Sequence, residues 1–203
     1  MNHLKYAESL DHFFRQVSEN SMNRRARENL TYLPVLNYTE PWMGNTQIIT
    51  MNSTAEAGMP HTREPNIICM PLYWKEGSIV ETVKHELVHI DQRNRPEAWV
   101  KWAVGEGWTR VEEAQIPERW LRQCRLNPDT MAYRFWAYRG RWVPLPLYER
   151  ADRPALRDVR VRWWDMKTGE LLHETPAEIR GLVDGITHPE HPFEIAAYRG
   201  IQI

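Results

Sequence analysis

The hydrophobic patterning of the chain predicts an α+β fold. Apolar residues recur at helical spacing over residues 3–20 and again from Ile79 to Ile90. Strand-like runs stand between them at 31–52 and 66–71, and a β-hairpin pattern follows at 158–174. The 203 residues suffice for one domain with a sizeable core, and 42% hydrophobic content marks a globular chain.

Charge and composition narrow the function. A formal net charge of −1 excludes a molecule that binds nucleic acid by its overall charge. No apolar run is long enough to span a bilayer, so no membrane partner is expected. The opening "MNHLKYAESLDHFF" lacks the apolar stretch of a secretory signal, so the expectation is cytoplasmic synthesis without a signal peptide. Cys69 and Cys124 cannot build a disulfide framework and read as buried small hydrophobes.

In chain order, Leu4, Ala7, Leu10, Phe13, Phe14 and Val17 line one side of a first helix. "MNRRARENL" reads as a second, polar helix. "TYLPVLNY" and "TQIITMN" read as strands around a Pro-Trp-Met-Gly-Asn turn, "STAEAGMPHTREP" as a polar loop, and "NIICMP" as a short apolar strand. Ser78-Ile79-Val80-Glu81 fits a capping box, which starts the next helix. Its core side is Ile79, Val83, Leu87 and Ile90, and it should end near Arg93, before Pro96. Helices are expected over "PEAWVKWAVGEGW" and over "IPERWLRQCRL", the latter with Pro117 in its first turn. From Asn127 the chain turns aromatic, arginine-rich and proline-broken. In "DVRVRWWDMKTGELLHE", Lys167-Thr168-Gly169 supplies a hairpin turn with a left-handed glycine.

The chemistry centres on "KHELVHIDQ", residues 84–92. Positions four apart on a helix point about 40° apart, so His85 and His89 can aim their imidazoles at one ion. Neutral imidazole suits Zn²⁺ at about 2.0–2.1 Å. Glu86, offset by about 100°, cannot easily join the ligands but can reach a water on the metal. This is the HExxH arrangement: zinc activates the water, Glu86 takes its proton as general base, and the oxygen attacks a peptide carbonyl. The ordinary alternative is a solvated helix face carrying two surface histidines.

A catalytic zinc needs a third protein ligand and an open position. Asp129 in "NPDTMAYR" and Glu194 in "HPFEIAAYR" stand in nearly the same setting, acid-x-x-Ala-Tyr-Arg with a proline just upstream. In both, the proline suggests that the acid lies early in a helix, and the alanine one turn on would let that helix pack closely on another. Either acid would also be at home simply facing a helix N-terminus. His188 and His191 are further ligand candidates. Tyr198, Tyr133 and Tyr73 could each donate to a developing oxyanion, and Asp91 could orient a ligand.

"HELVH" followed by "HPFEIAAY" resembles the gluzincin metallopeptidases, and is similar to small bacterial and phage members with a His-Glu-Leu-x-His helix and a later Pro-x-Glu-x-x-Ala helix. The resemblance implies a zincin-like core with His85, His89 and Glu194 as zinc ligands and Glu86 as general base. It covers two blocks only. Glu194 lies 105 residues beyond His89, long for such proteins, against 40 for Asp129. With Glu194 as ligand, residues 120–185 become an insertion between two active-site helices.

That insertion is rich in arginine and tryptophan. Eight of the ten tryptophans lie between Trp99 and Trp164, and eleven arginines face four acids between Arg119 and Arg162. Core packing, a surface for a protein partner, and single-stranded nucleic-acid binding are the three readings, nucleic acid the weakest. The expectation is one domain: a zincin-like core with an Arg/Trp-rich insertion containing a β-hairpin. Its expected function is a zinc-dependent peptidase acting on a peptide or protein. The alternative is a structural or assembly protein, for instance of a phage virion, that keeps the fold without turnover.

Overall fold

The structure, a computed structural model, describes residues 13–30, 32, 34–38, 45–52, 54–73 and 79–203. It is α+β. The first turns of the predicted N-terminal helix, the turn at 41–44, and Ser78 of the capping box lie outside the described residues. Residues 13–19 are helical (α1). Helix α2, Ser21–Arg27, follows, capped by Asn20, whose Oδ1 accepts from the Met22 and Asn23 amides.

Strands β1 (Pro34–Tyr38), β2 (Gln47–Met51), β3 (His61–Arg63) and β4 (Ile67–Pro71) form a sheet in the order β1-β2-β4-β3. β2 and β4 run parallel, and the outer pairs are antiparallel. The apolar "IICMP" run is buried throughout, as a strand covered on both faces should be. The loop expected at 53–65 is instead a tight turn, Ala55–Gly58, followed by β3. His61, Thr62 and Arg63 are all buried. Their polarity hid the strand, but each side chain finds a neighbour: His61 Nδ1 the Met59 carbonyl, Thr62 Oγ1 the Asp129 carboxylate, and Arg63 the ring of Phe13.

Helix α3, Ile79–Asn94, lies against this sheet. Ile79, Val83, Leu87 and Ile90 pack on Ile48, Ile68 and Met70, the stripe that the 3.6-residue period predicts. Helix α4, Pro96–Gly105, is shorter than expected. Gly107 takes φ +88°, which turns the chain and leaves Trp108 in a strand, β5 (Trp108–Arg110). Helix α5, Glu118–Gln123, is also short, with Pro117 in front of its first turn rather than within it.

Strands β6 (Trp136–Tyr138), β7 (Trp142–Tyr148), β8 (Val159–Asp165) and β9 (Leu171–Leu172) complete an antiparallel sheet in the order β5-β6-β7-β8-β9. The β8–β9 hairpin turns at Gly169, φ +78°. Pro144 and Pro146 lie inside β7, opposite Trp163 and Val161. Proline has no N–H to give a neighbouring strand. Among the described residues, however, no strand pairs with β7 beyond Trp142 on the side away from β8, and there the Pro146 carbonyl accepts from the Arg125 amide at 2.7 Å. Helices α6 (Ala177–Val183), unforeseen in the sequence, and α7 (Pro192–Tyr198) close the chain.

The sheet's period-2 alternation assigns the tryptophans to packing. Trp108, Trp136, Trp142 and Trp163 point into a core shared with Trp99 of α4 and with Phe193, Ala196 and Ala197 of α7. Trp164, Val143, Leu145 and Leu147 fill a second core. The β5–β9 sheet therefore forms the bed on which α4 and α7 rest. Cys69 and Cys124 are buried free thiols, each pushed up to about 12 by burial. Among the described residues, no helix is long and apolar enough to cross a membrane.

Candidate metal centre

Helix α3 presents His85 and His89, and α7 brings Glu194 against them. Ala196 and Ala197 are buried at the contact, where small side chains let the two helices approach. Glu194 stands in the first turn of α7, behind Pro192, with the His191 Nδ1 capping the Phe193 amide. The Nε2 atoms of His85 and His89 are 3.1 Å apart, and each is 3.4 Å from Glu194 Oε2. Among the described residues this is the group whose donor atoms could hold a metal ion.

The hydrogen bonds determine which atoms converge. Gln92 Nε2 donates to the Phe193 carbonyl at 3.0 Å, so its Oε1 is the atom 2.8 Å from His89 Nδ1. His89 therefore carries a proton on Nδ1 and turns the Nε2 lone pair toward Glu194. Asn127 Nδ2 donates to Glu194 Oε1 at 2.6 Å, leaving Oε2 for the cluster. Asn127 is held in turn by Glu190, 2.8 Å from the same nitrogen, and Glu190 by Arg125 at 2.6 Å. Two acceptors, His89 Nε2 and Glu194 Oε2, thus converge beside His85 Nε2 inside the protein, an arrangement that a positive charge between them would stabilise. Donors about 2.0–2.1 Å from a tetrahedral ion stand about 3.3–3.4 Å apart. The two 3.4 Å spacings match that figure and the 3.1 Å spacing falls slightly short of it, so two imidazoles and one carboxylate here could hold a metal ion of that size.

The electrostatics express the same need. Burial opposes charge on His89, but Glu194 overrides it and pushes the ring up to about 10. Glu194 is buried too, yet His89 and His85 hold its carboxyl well below the ordinary range. A shared proton plays the part that a cation would take. Glu86 behaves in the opposite way. Burial, reinforced by Asp129, raises its carboxyl well above the ordinary range. Its Oε2 has no hydrogen-bond partner among the described residues.

Glu86, His85 and Glu194 line a cavity of about 480 Å³, together with Asp129, His188 and Tyr198. Asp129 is not in the cluster. Its Oδ1 accepts from the Thr62 amide at 2.7 Å and from Thr62 Oγ1 at 2.6 Å. It does not open a helix either: only a single turn, Met131–Tyr133, fits before β6 begins at Trp136. His191 is turned away, with Nε2 on the Tyr133 carbonyl. Tyr198 packs edge-on to His85, ring centroids 4.7 Å apart, at the mouth of the cavity. Tyr133 lies under Arg110, and Tyr73 is exposed.

Asp91 does not orient a ligand. It pairs with Arg95 and accepts from Trp99 Nε1 at 2.8 Å. The residue behind His89 is its neighbour Gln92. Three-residue spacing on a helix was the signal that could have found it. No sequence signal marks Asn127, Arg125 or Glu190, which reach Glu194 only through the fold. Compared with protein-family models, with curated proteins and with solved structures, the chain finds no match.

Proposed function

We propose that the protein is a zinc-dependent peptidase of gluzincin type, built on a zincin-like core, with His85, His89 and Glu194 as ligands and Glu86 as general base. The observation that carries this reading is a buried carboxyl, Glu86, whose Oε2 has no partner among the described residues, on the wall of the cavity that His85 and Glu194 also line, with His89 buried behind them. A buried acid left without a partner lowers stability. A chain that needed metal only for stability has no reason to keep it.

When bound, zinc supplies a Lewis acid that polarises the peptide carbonyl and acidifies water. Glu86 would take the proton from the attacking water as the water oxygen bonds to the carbonyl carbon. It then passes the proton to the departing amine nitrogen as the C–N bond breaks. The raised affinity of Glu86 for a proton suits both halves of this transfer. Asn127 keeps Glu194 Oε1 occupied, and Gln92 keeps His89 in the tautomer that can ligate. Tyr198, exposed at the rim beside His85, would donate a hydrogen bond to the carbonyl oxygen as it gains charge.

Two results are expected. A chelator removes hydrolysis of an unstructured protein such as casein, and stoichiometric zinc restores it. Failure of zinc to restore turnover to a folded chain contradicts the reading. Gln92→Ala weakens zinc binding by about 10–100-fold, since a ligand's orienting hydrogen bond is typically worth that much. Competition against a zinc-sensitive dye measures the change.

A further inference from the structure

A second cavity, of about 350 Å³, adjoins the first and shares Pro128 and Asp129 with it. That volume lies at the small end of ligand pockets. Its lining joins apolar groups, Phe13, Met131 and Phe193, to two cations, Arg63 and Arg93. Neither cation is fully used. Arg63 is 3% exposed, and its Nη1 donates to the Thr62 carbonyl at 3.4 Å. Its Nε and Nη2 have no acceptor among the described residues.

Those two nitrogens form the edge of a guanidinium that grips a carboxylate through paired N–H bonds. Elsewhere in this chain the same edge does so: Arg27 on Glu56, Arg95 on Asp91, and Arg141 on Asp165. For Arg63, Glu56 stays 4.0 Å away and is already held by Arg27 and Tyr32. Arg93 gives Nη2 to Thr62 Oγ1 at 2.6 Å and keeps Nη1 without an acceptor. Two acids also line the cavity. Asp129 is engaged by Thr62, and Glu64 is exposed. They offset the two cations, which favours a singly charged anion over a phosphate.

We propose that this cavity binds a carboxylate carried on an apolar or aromatic body. Arg63 takes the carboxylate once its guanidinium turns the Nε/Nη2 edge, closed off in this structure, toward the cavity, Arg93 likewise adds a further donor, and Phe13, Met131 and Phe193 cover the body. The carboxylate can belong to a free small acid, or to the C-terminus of a peptide that reaches over from the neighbouring cavity.

Calorimetric titration of the wild-type chain with N-acetyl-L-phenylalanine and with its amide tests the site without any reference to metal or turnover. The acid is expected to bind at least tenfold more tightly than the amide. Arg93→Gln and Arg63→Lys each weaken the acid about tenfold and leave the amide unchanged; lysine keeps the charge but loses the paired donors. Arg93 is only half-buried, so its variant still reports if the Arg63 variant fails to fold. Equal affinity for acid and amide, or a preference that survives both substitutions, overturns the proposal. The source of the carboxylate rests on the hydrolase reading. Inhibition of peptide hydrolysis by N-acetylphenylalanine assigns it to the substrate's C-terminus, and binding without inhibition to a separate small acid.

Discussion

Glu86→Gln should keep zinc bound and lower peptide hydrolysis by about 10²–10⁴-fold, the usual contribution of a general acid–base. The substitution preserves shape and removes the group that accepts a proton. Glu86 lies outside the His85/His89/Glu194 cluster, so metal content should not change. Its Oε2 makes no hydrogen bond among the described residues, so none of these is lost with the charge. The amide also removes a buried carboxyl that burial and Asp129 hold well above its ordinary range, so the variant should be at least as stable as the wild type. Initial rates on a peptide substrate, measured beside zinc content and a urea melt, separate these effects. Undiminished turnover with zinc in place would assign the base to another group.

Glu56→Gln should cost about 3–5 kcal/mol of stability, the usual result of stranding one member of a buried ion pair. Arg27 Nε and Nη2 meet the two Glu56 oxygens at 2.9 Å, and both side chains are nearly inaccessible. The pair is the hub of a larger network. Arg27 also donates to Asn23 Oδ1 and to the Leu126 carbonyl, and Asn23 holds Cys124 and Leu126. It thereby anchors the start of the 124–129 segment, which carries Arg125, Asn127 and Asp129 into the site.

The Glu56 carboxylate also fixes a tight turn in which Glu56 and Ala57 take φ +44° and +58°, a region costly for residues with a Cβ. Although burial alone would raise it, Arg27 holds the Glu56 carboxyl well below the ordinary range. Its stabilising contribution is therefore complete above the unfolded carboxyl pKa, about 4.3. It is lost progressively as pH falls below that value. Urea unfolding at pH 7 and at pH 3 should show a wide gap between wild type and Glu56→Gln that narrows in acid. A gap that does not change with pH would contradict this account of the pair.

What could be read in advance follows from how local each cause is. The α3 stripe, the buried "NIICMP" strand and the Lys167-Thr168-Gly169 hairpin turn are set by periodicity and turn chemistry within a dozen residues, and all three are present. The neighbourhood of His85, Glu86 and His89 is likewise helical geometry. Elements whose stability comes from distant partners were not legible. Strand β3 can be polar because its side chains meet distant groups, His61 the Met59 carbonyl, Thr62 the Asp129 carboxylate and Arg63 the Phe13 ring. Helix α6 buries only Ile179 and Val183, too few apolar positions to stand out. The tryptophan segment looked like a surface feature as much as a core, because strand pairing alone decides which face each ring takes. The same limit applies around the site. Glu194 and Asp129 share a local pattern, and only the fold distinguishes them, drawing Glu194 against the histidines and tying Asp129 to Thr62.

That distinction is also where the account is most open to test. The measurement is zinc per chain, by elemental analysis, on wild type, His85→Ala, Glu194→Ala and Asp129→Ala. The expected result is about one zinc in wild type and in Asp129→Ala, with loss in His85→Ala and Glu194→Ala. No zinc in wild type supplied with it, or a loss confined to Asp129→Ala, would contradict the site.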